Sequence, residues 1–177
     1  MITDKTNKLK VPDRLREDLL DFALTPNLSY WVKNPYGPNR RCCFLNRLNL
    51  PLTTDVKTFA EYCFKEVFNT TVAEEVEFGN FLGFNSEGAF VHRHRDRQGP
   101  NGEYHVRLNF LIQKPEGGGM PIINESPLIV NEGQCWINWA SKNYHSSTPV
   151  EGCRPRIVLS LGSYIDLAII KNFENVF

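Results

Sequence analysis

The sequence predicts a mainly β protein, in which two helices precede an antiparallel β body of the sandwich or barrel type. From residue 75 onward, segments rich in β-branched and aromatic residues alternate with clusters of Gly, Pro, Asn and Ser, which is typical of such bodies. Before residue 75, apolar residues recur at three- and four-residue intervals, which indicates amphipathic helices. The 177-residue chain is 41% hydrophobic, enough for one substantial core, so we expect a single domain over residues 1–177.

Two stretches of the N-terminal part have helical periodicity. Residues 12–24 place Leu15, Leu19 and Phe22 on one face. Residues 54–68 carry a longer apolar stripe, made by Val56, Phe59, Ala60, Cys63, Phe64 and Val67. The intervening residues 26–50 are predicted to be loop and short extended pieces at the rim of a site. We expect residues 1–74 to form a helical and loop support, with the helices packed on one outer face of a sheet.

The predicted β body covers residues 75–170. Its segments have strand length and strand composition and are bounded by turn residues. They are residues 75–84, 88–97, 104–113, 126–133, 134–140 and 156–170.

Charge and hydropathy disfavour two classes of partner. Twenty basic residues balance twenty acidic ones, so the chain lacks the overall positive field that draws proteins to nucleic acid or to anionic membranes. No apolar run approaches the roughly 18–20 residues of a membrane span, and the polar N-terminus does not resemble a signal peptide. We therefore expect a cytoplasmic protein. The five cysteines form no CxxC motif, so we expect reduced thiols.

The sequence VHRHRDRQ at residues 91–98 alternates strictly. In an extended chain, successive side chains point to opposite faces. His92, His94 and Asp96 are therefore predicted to share one face of a strand, with arginines on the other. Residues i and i+2 of a strand can hold one ion between them, so His94 and Asp96 are candidate metal ligands.

A second histidine and an arginine complete the candidate site. With His94 and Asp96, His145 would give two imidazoles and one carboxylate, the set that occupies one face of an Fe(II) octahedron and leaves three positions open. A metal chelated by a 2-oxoacid also needs a cation for the acid's far carboxylate. Arg156 is the preferred candidate, Arg154 competes with it, and Ser160 would add a hydroxyl on the Arg156 face.

These motifs resemble the Fe(II)/2-oxoglutarate-dependent dioxygenases, and most closely their aspartyl/asparaginyl β-hydroxylase-like group. The resemblance covers about residues 76–166. It is carried by HRD at 94–96, HVRLNFLI at 105–112, the segment from EGGGMP to NYHSS at 116–147 and RIVLSLG at 156–162. It implies a double-stranded β-helix core, of the jelly-roll or cupin-like kind, within residues 75–170.

The resemblance also implies cofactors and site residues. Iron would be bound by His94, Asp96 and His145, and the distal carboxylate of 2-oxoglutarate by Arg156. The group has an Arg-x-His pair that contacts the cosubstrate, and the matching residues here are Arg107 and Asn109. The implied reaction uses molecular oxygen to hydroxylate a small molecule, amino acid or peptide side chain and converts 2-oxoglutarate to succinate. The prime substrate and the oligomeric state are left open.

Two other functions fit parts of the pattern. A metal cupin that does not use 2-oxoglutarate would bind its ion through His92, His94 and His145, although the glutamate expected after the HxH motif is missing. A non-enzymatic jelly-roll module would use the pocket to bind an acidic ligand. Binding of 2-oxoglutarate separates the first function from an oxygenase, and iron content separates the second.

Overall fold

A computed structural model describes residues 5–25, 28–34, 36–69, 75, 78–166 and 168–169. The two predicted helices are confirmed as α1, Asp13–Leu24, and α2, Pro51–Phe68. Helix α2 begins three residues before the predicted start at residue 54, because Pro51 occupies the first helical position, where its missing N–H is not needed. The Thr53 hydroxyl accepts a hydrogen bond from the backbone N–H of Leu50 (3.4 Å) and closes the first turn.

Both helices cover one face of the larger sheet, as the sequence predicts. The rings of Phe59 on α2 and Phe110 in the sheet lie 5.1 Å apart between centroids, and Leu19 of α1 is fully buried in the same cluster. This single apolar cluster extends from Leu9 to Ile165. The helices therefore support one side of the sheet and leave its other side for the second layer.

The larger sheet is antiparallel and has six strands among the described residues. Its two central strands, β4 (Tyr104–Gln113) and β11 (Arg156–Ile165), pair from Ile157 to Ile165 of β11, with one register shift between Ile157 and Val158. In spatial order the strands are β1 (Val32–Lys33), β2 (Arg40–Phe44), β3 (Phe81–Asn85), β11 (Arg156–Ile165), β4 (Tyr104–Gln113) and β8 (Cys135–Asn138). Strands β1 and β2 come from the part of the chain for which the sequence predicted only short extended pieces.

The second layer is made of shorter strands. They are β5 (Gly117–Gly118), β6 (Pro121–Ile123), β7 (Ser126–Pro127), β9 (His145–Ser147) and β10 (Val150–Glu151), paired as β7–β6–β9 and β5–β10. Together the two layers form the predicted double-stranded β-helix, with the site between them.

The predicted strand at residues 88–97 is not a regular strand. Among the residues that the structure describes, its only ladder contact is a bridge between His94 and His145. Other backbone hydrogen bonds of this segment go to different partners: His92 N–H donates to the Tyr36 carbonyl and Asp96 N–H to the Ala140 carbonyl. The alternation of residues 91–98 therefore reflects an extended segment fixed residue by residue, rather than one ladder.

The cysteines form no disulfide, as the sequence predicts. All five cysteines are free thiols; Cys153 is exposed, and burial raises the pKa of the Cys43 thiol to about 12. Among the described residues, every helix is too short or too polar to serve as a membrane span.

Candidate metal centre

Backbone hydrogen bonds bring the three predicted ligands together. His94 and His145 exchange N–H to carbonyl bonds of 3.0 and 2.8 Å, although they are fifty-one positions apart in the sequence. Asp96 is fixed by its own N–H, which donates to the Ala140 carbonyl at 2.8 Å. The bridge between the His94 segment and β9 thus places both histidines side by side, and Asp96 follows two residues after His94.

The side chains converge on a common centre. One ligand atom from each of His94, Asp96 and His145 lies within 4.8 Å of the other two. The Nε2 atoms of His94 and His145 are 3.3 and 3.7 Å from the same oxygen, Oδ1 of Asp96. This compact set of two imidazoles and one carboxylate suits a divalent transition metal.

The other ring nitrogen of each histidine is held by a backbone carbonyl. His94 Nδ1–H donates to the His92 carbonyl at 2.7 Å, and His145 Nδ1–H to the Asn143 carbonyl at 3.3 Å. With Nδ1 protonated, the lone pair of a neutral imidazole lies on Nε2, which faces the centre. The ring of Tyr36 stacks on His94 at 4.8 Å and 9°, which restricts its rotation. Both imidazoles are therefore oriented as ligands.

A chain of buried charges holds the aspartate. Its second oxygen, Oδ2, lies 3.2 Å from Nδ1 of His105, and Nε2 of His105 lies 2.7 Å from Glu75. Glu75 also accepts a hydrogen bond from Nη2 of Arg107 and one from the Phe78 N–H at 3.2 Å. Because both ring nitrogens of His105 face carboxylates, Asp96 is held through Oδ2 and presents Oδ1 to the two histidines.

The local charges shift the pKa values of these groups in different directions. Burial lowers the pKa of His145 to about 4 despite the nearby aspartate, so this ring is neutral at pH 7. For Asp96, burial acts to raise the pKa, but hydrogen bonds from His105 and His94 outweigh it and hold the pKa well below its usual range. Burial acts to lower the pKa of His94, but hydrogen bonds to Asp96 and to the His92 carbonyl raise it overall.

Glu75→Gln should destabilise the fold by about 2 kcal/mol, because Arg107 and His105 would then lack their buried carboxylate. The matched control is Glu132→Gln, since Glu132 pairs with Arg154 and Arg16 at the surface and exposed pairs contribute about 0–1 kcal/mol. Urea unfolding monitored by tryptophan fluorescence measures both variants. Equal free energies of unfolding for the two variants would show that the buried ion pairs of Glu75 contribute no more stability than a surface pair.

A cavity of about 280 Å³ lies beside the ligands, between the two layers. Arg156 lines it and is 5% exposed, and within the described residues its Nε atom has no hydrogen-bond partner. Burial, and to a smaller extent Arg40, lowers the pKa of Arg156 to about 10. Gly119 covers the stem of Arg156 with a positive φ of 63°, and a Cβ there would lie 2.9 Å from the arginine Cδ. Arg156 is therefore a buried cation with donor capacity directed to the cavity.

The other predicted cosubstrate residues divide into two sets. Arg107, Asn109 and Ser160 line the same cavity, where Arg107 donates to the Ser160 hydroxyl at 3.3 Å but is already neutralised by Glu75. Arg154 lies outside the cavity and forms an exposed ion pair of 2.8 Å with Glu132. Arg154 and Arg156 are two positions apart, but they do not share a strand face, because Arg154 precedes the first residue of β11.

Three residues of the site were not singled out as such from the sequence. Glu75 is the first residue of the predicted body but carries no spacing signal, since its charged partners His105 and Arg107 are thirty residues and more away along the chain. Tyr36 falls only within the predicted rim of residues 26–50, and no sequence pattern marks Asn85. His92, predicted to share the ligand face, is exposed, and its ring contacts the ring of Phe90 edge to face, with 4.7 Å between centroids. Contacts across the fold, rather than sequence periodicity, decide all three assignments.

Comparisons of sequence give no relative. No protein-family model matches the chain, and no curated protein matches it.

Comparisons of structure give many similar chains. A prolyl-4-hydroxylase from Pseudomonas putida has a TM-score of 0.66 at 12% identity, covering 93% of this chain and 96% of that one. A prolyl hydroxylase from Trichoplax adhaerens, solved with a hypoxia inducible factor peptide fragment, has a TM-score of 0.65 at 13% identity, covering 97% and 90%. HygX from Streptomyces hygroscopicus, solved with nickel and 2-oxoglutarate, has a TM-score of 0.65 at 11% identity, covering 94% and 85%.

The structural neighbours thus include Fe(II)/2-oxoglutarate oxygenases, and the shared fold is the double-stranded β-helix. At 11–13% identity these likenesses establish the fold alone. The aspartyl/asparaginyl β-hydroxylase-like group, which the sequence motifs resemble, is not represented among the neighbours described above.

Proposed function

We propose that the protein is an Fe(II)- and 2-oxoglutarate-dependent oxygenase that hydroxylates a small molecule, amino acid or peptide side chain. The main support is that Nε2 of His94 and Nε2 of His145 both face Oδ1 of Asp96, with each Nδ1–H held by a carbonyl. This is the donor set and the ring orientation that a three-ligand Fe(II) site requires.

His94, Asp96 and His145 would hold the iron. Bound iron would supply the oxidising chemistry, in which 2-oxoglutarate loses CO2 to become succinate, one atom of molecular oxygen enters succinate and the other enters a substrate C–H bond as a hydroxyl group. Asp96 would bind through Oδ1, because Oδ2 is taken by His105. Tyr36 covers one face of the His94 ring and would limit the access of water from that side.

Arg156 would bind the distal carboxylate of 2-oxoglutarate. It is buried and lines the cavity, and within the described residues no acid pairs with it and its Nε lacks a partner. A guanidinium in a dry pocket binds a carboxylate through paired charge-assisted hydrogen bonds. Ser160 and Asn109 line the same cavity and would add polar contacts, whereas Arg107 would act mainly through Glu75.

The proposed substrates include both peptides and small molecules because both occur in structures of the neighbours. The Trichoplax enzyme was solved with a peptide fragment and HygX with hygromycin B, so this fold accepts both peptides and small molecules. The aspartyl/asparaginyl β-hydroxylase-like assignment rests on the sequence motifs at residues 94–96, 105–112 and 156–162.

Neither alternative function gains support from the site. The cupin set needs His92 as a ligand, but its side chain is exposed and its carbonyl accepts from His94. A non-enzymatic module would not need two histidines with their Nε2 atoms directed to one carboxylate oxygen.

One apolar cluster contains residues of both helices and of the sheet, which supports our proposal of a single domain.

The purified protein, incubated with Fe(II), ascorbate and 2-oxoglutarate in air, should release succinate slowly even without a prime substrate. Succinate measured by mass spectrometry, with chelator and anaerobic controls, tests the proposal. If Fe(II) and 2-oxoglutarate both fail to bind in calorimetry, the proposed function is wrong.

A further inference from the structure

A third arginine, Arg40, lines the cavity, and the proposed cosubstrate site gives it no role. Arg40 lies on β2, and its Nε and Nη1 donate to the side-chain oxygens of Asn85 (3.1 Å) and Asn34 (3.2 Å). Both partners are neutral amides, and in the described part of the chain no carboxylate forms an ion pair with Arg40. The amides therefore fix the direction of the guanidinium without neutralising its charge.

Arg40 and Arg156 belong to one row across three strands. Asn85 of β3 is the register partner of Arg40 on β2 and also of Arg156 on β11. Facing residues of neighbouring antiparallel strands point to the same side of the sheet, so the two arginines flank Asn85 on the cavity side. Their proximity contributes to the lowered pKa of Arg156, and Arg40 also acts on the pKa of His94. Arg40 is thus close enough to affect the pKa of Arg156 and of the candidate ligand His94.

With Fe(II) and 2-oxoglutarate bound, the described charges of the site would cancel except for the positive charge of Arg40. The two charges of Fe(II) offset the two of 2-oxoglutarate, Asp96 offsets Arg156, and Glu75 offsets Arg107. This holds with neutral histidines, and a proton on His105 would only add positive charge. One half-buried cation therefore remains, and a charge partly withdrawn from water is unfavourable unless an anion joins it.

We infer that Arg40 is the anchor for an anionic group of the prime substrate, so that the enzyme acts on an acid rather than on a neutral or cationic molecule. This inference rests on the proposed function. Nη2 of Arg40 makes no hydrogen bond to other described residues, so the edge between Nη1 and Nη2 is available to an oxyanion. The cavity wall near the arginine includes the apolar residues Val32, Phe44 and Phe81. The substrate class is therefore an oxyanion, carboxylate or phosphoryl, on an apolar body.

The test uses acetate and sulfate as probes on the intact protein. The protein is loaded with Zn(II), which is diamagnetic, saturated with 2-oxoglutarate and titrated while ¹H–¹⁵N spectra record the arginine Nε–H signals. Acetate should saturate a site that shifts the Arg40 Nε–H signal, and Arg40→Gln should weaken this binding by roughly tenfold or more. The matched control is Arg41→Gln, because Arg41 is the next residue of β2, is exposed and does not line the cavity. It should leave the acetate affinity within about twofold of wild type.

Two results would overturn the inference. One is acetate and sulfate binding that is absent, or equally strong in Arg40→Gln and wild type. The other is a 2-oxoglutarate affinity that falls as far in Arg40→Gln as in Arg156→Gln, since Arg40 would then belong to the cosubstrate site. A response to sulfate but not to acetate would support a phosphoryl group over a carboxylate as the anion.

The failure of the proposed function gives a different pattern. If the protein binds neither Zn(II) nor 2-oxoglutarate, the oxygenase proposal fails, and the same acetate titration is run on metal-free Arg156→Gln. Saturation at Arg40 in that variant would preserve the anion site alone, whereas no saturation would remove it as well.

Discussion

Asp96→Ala should abolish succinate release from 2-oxoglutarate and weaken the binding of divalent metal by more than about 100-fold. The reason for this magnitude is that groups hydrogen-bonded to metal ligands already tune affinity by about 10- to 100-fold, and Asp96 is itself a ligand candidate. Its Oδ1 faces Nε2 of both histidines, so its removal leaves two imidazoles without the negative charge that favours a cation. Calorimetry with Mn(II) under argon measures the affinity, and mass spectrometry measures succinate.

His92→Ala is the matched control for that experiment. His92 lies two residues before His94 and four before Asp96, has the same sequence parity, and is exposed. Its backbone carbonyl, which holds His94 Nδ1–H, is kept in the variant, so metal affinity should change by less than about threefold. Thermal melts of both variants check that they are folded. Normal Mn(II) binding in folded Asp96→Ala, or its loss in His92→Ala, would contradict the assignment of the ligands.

The fold was predictable because its signals are local. The stripe of α2 and the β-rich segments from residue 75 follow the periodicities of helix and strand, and both appear in the structure. The ligand motif was predictable for a similar reason, since His94 and Asp96 need only an extended segment of three residues. The regular strand predicted around them was wrong, because hydrogen bonds to Tyr36, His145 and Ala140 replace a continuous ladder.

The rest of the site depends on contacts that sequence spacing does not encode. Glu75 reaches His105 and Arg107 from thirty residues and more away along the chain. Arg40 and Asn85 meet only because β2 pairs with β3, and a polar segment rich in proline gave no sign of that pairing. Arg40 lies within the predicted rim of residues 26–50, but only the register of β2, β3 and β11 places it beside Arg156.

Arg156→Met should weaken the binding of 2-oxoglutarate to the Zn(II)-loaded protein by roughly 30- to 4,000-fold, which corresponds to about 2–5 kcal/mol for losing one partner of a buried charge pair. Arg154→Met is the control, because Arg154 lies two residues earlier but pairs with Glu132 at the surface. Calorimetry measures both variants, and equal affinities in the two would remove Arg156 from the cosubstrate site.

The same variant should have the opposite effect on the stability of the ligand-free protein. Burial lowers the pKa of Arg156 to about 10, so at pH 7 the folded state carries a cation that it disfavours relative to the unfolded chain. Replacing such a group with an apolar side chain of similar volume commonly stabilises a fold by about 1–4 kcal/mol, and about 1 kcal/mol shifts the Tm of a chain of this size by about 2–4 °C. The Tm of ligand-free Arg156→Met should therefore rise.

This increase in Tm should be the same at pH 6 and pH 8. Because the lowered pKa belongs to a base, the free-energy cost of the buried cation is constant below pH 10 and decreases only above it. Saturating 2-oxoglutarate with Zn(II) should reverse the order, since it stabilises only the protein that binds it. A ligand-free variant that melts below wild type would mean that Arg156 has a structural role instead.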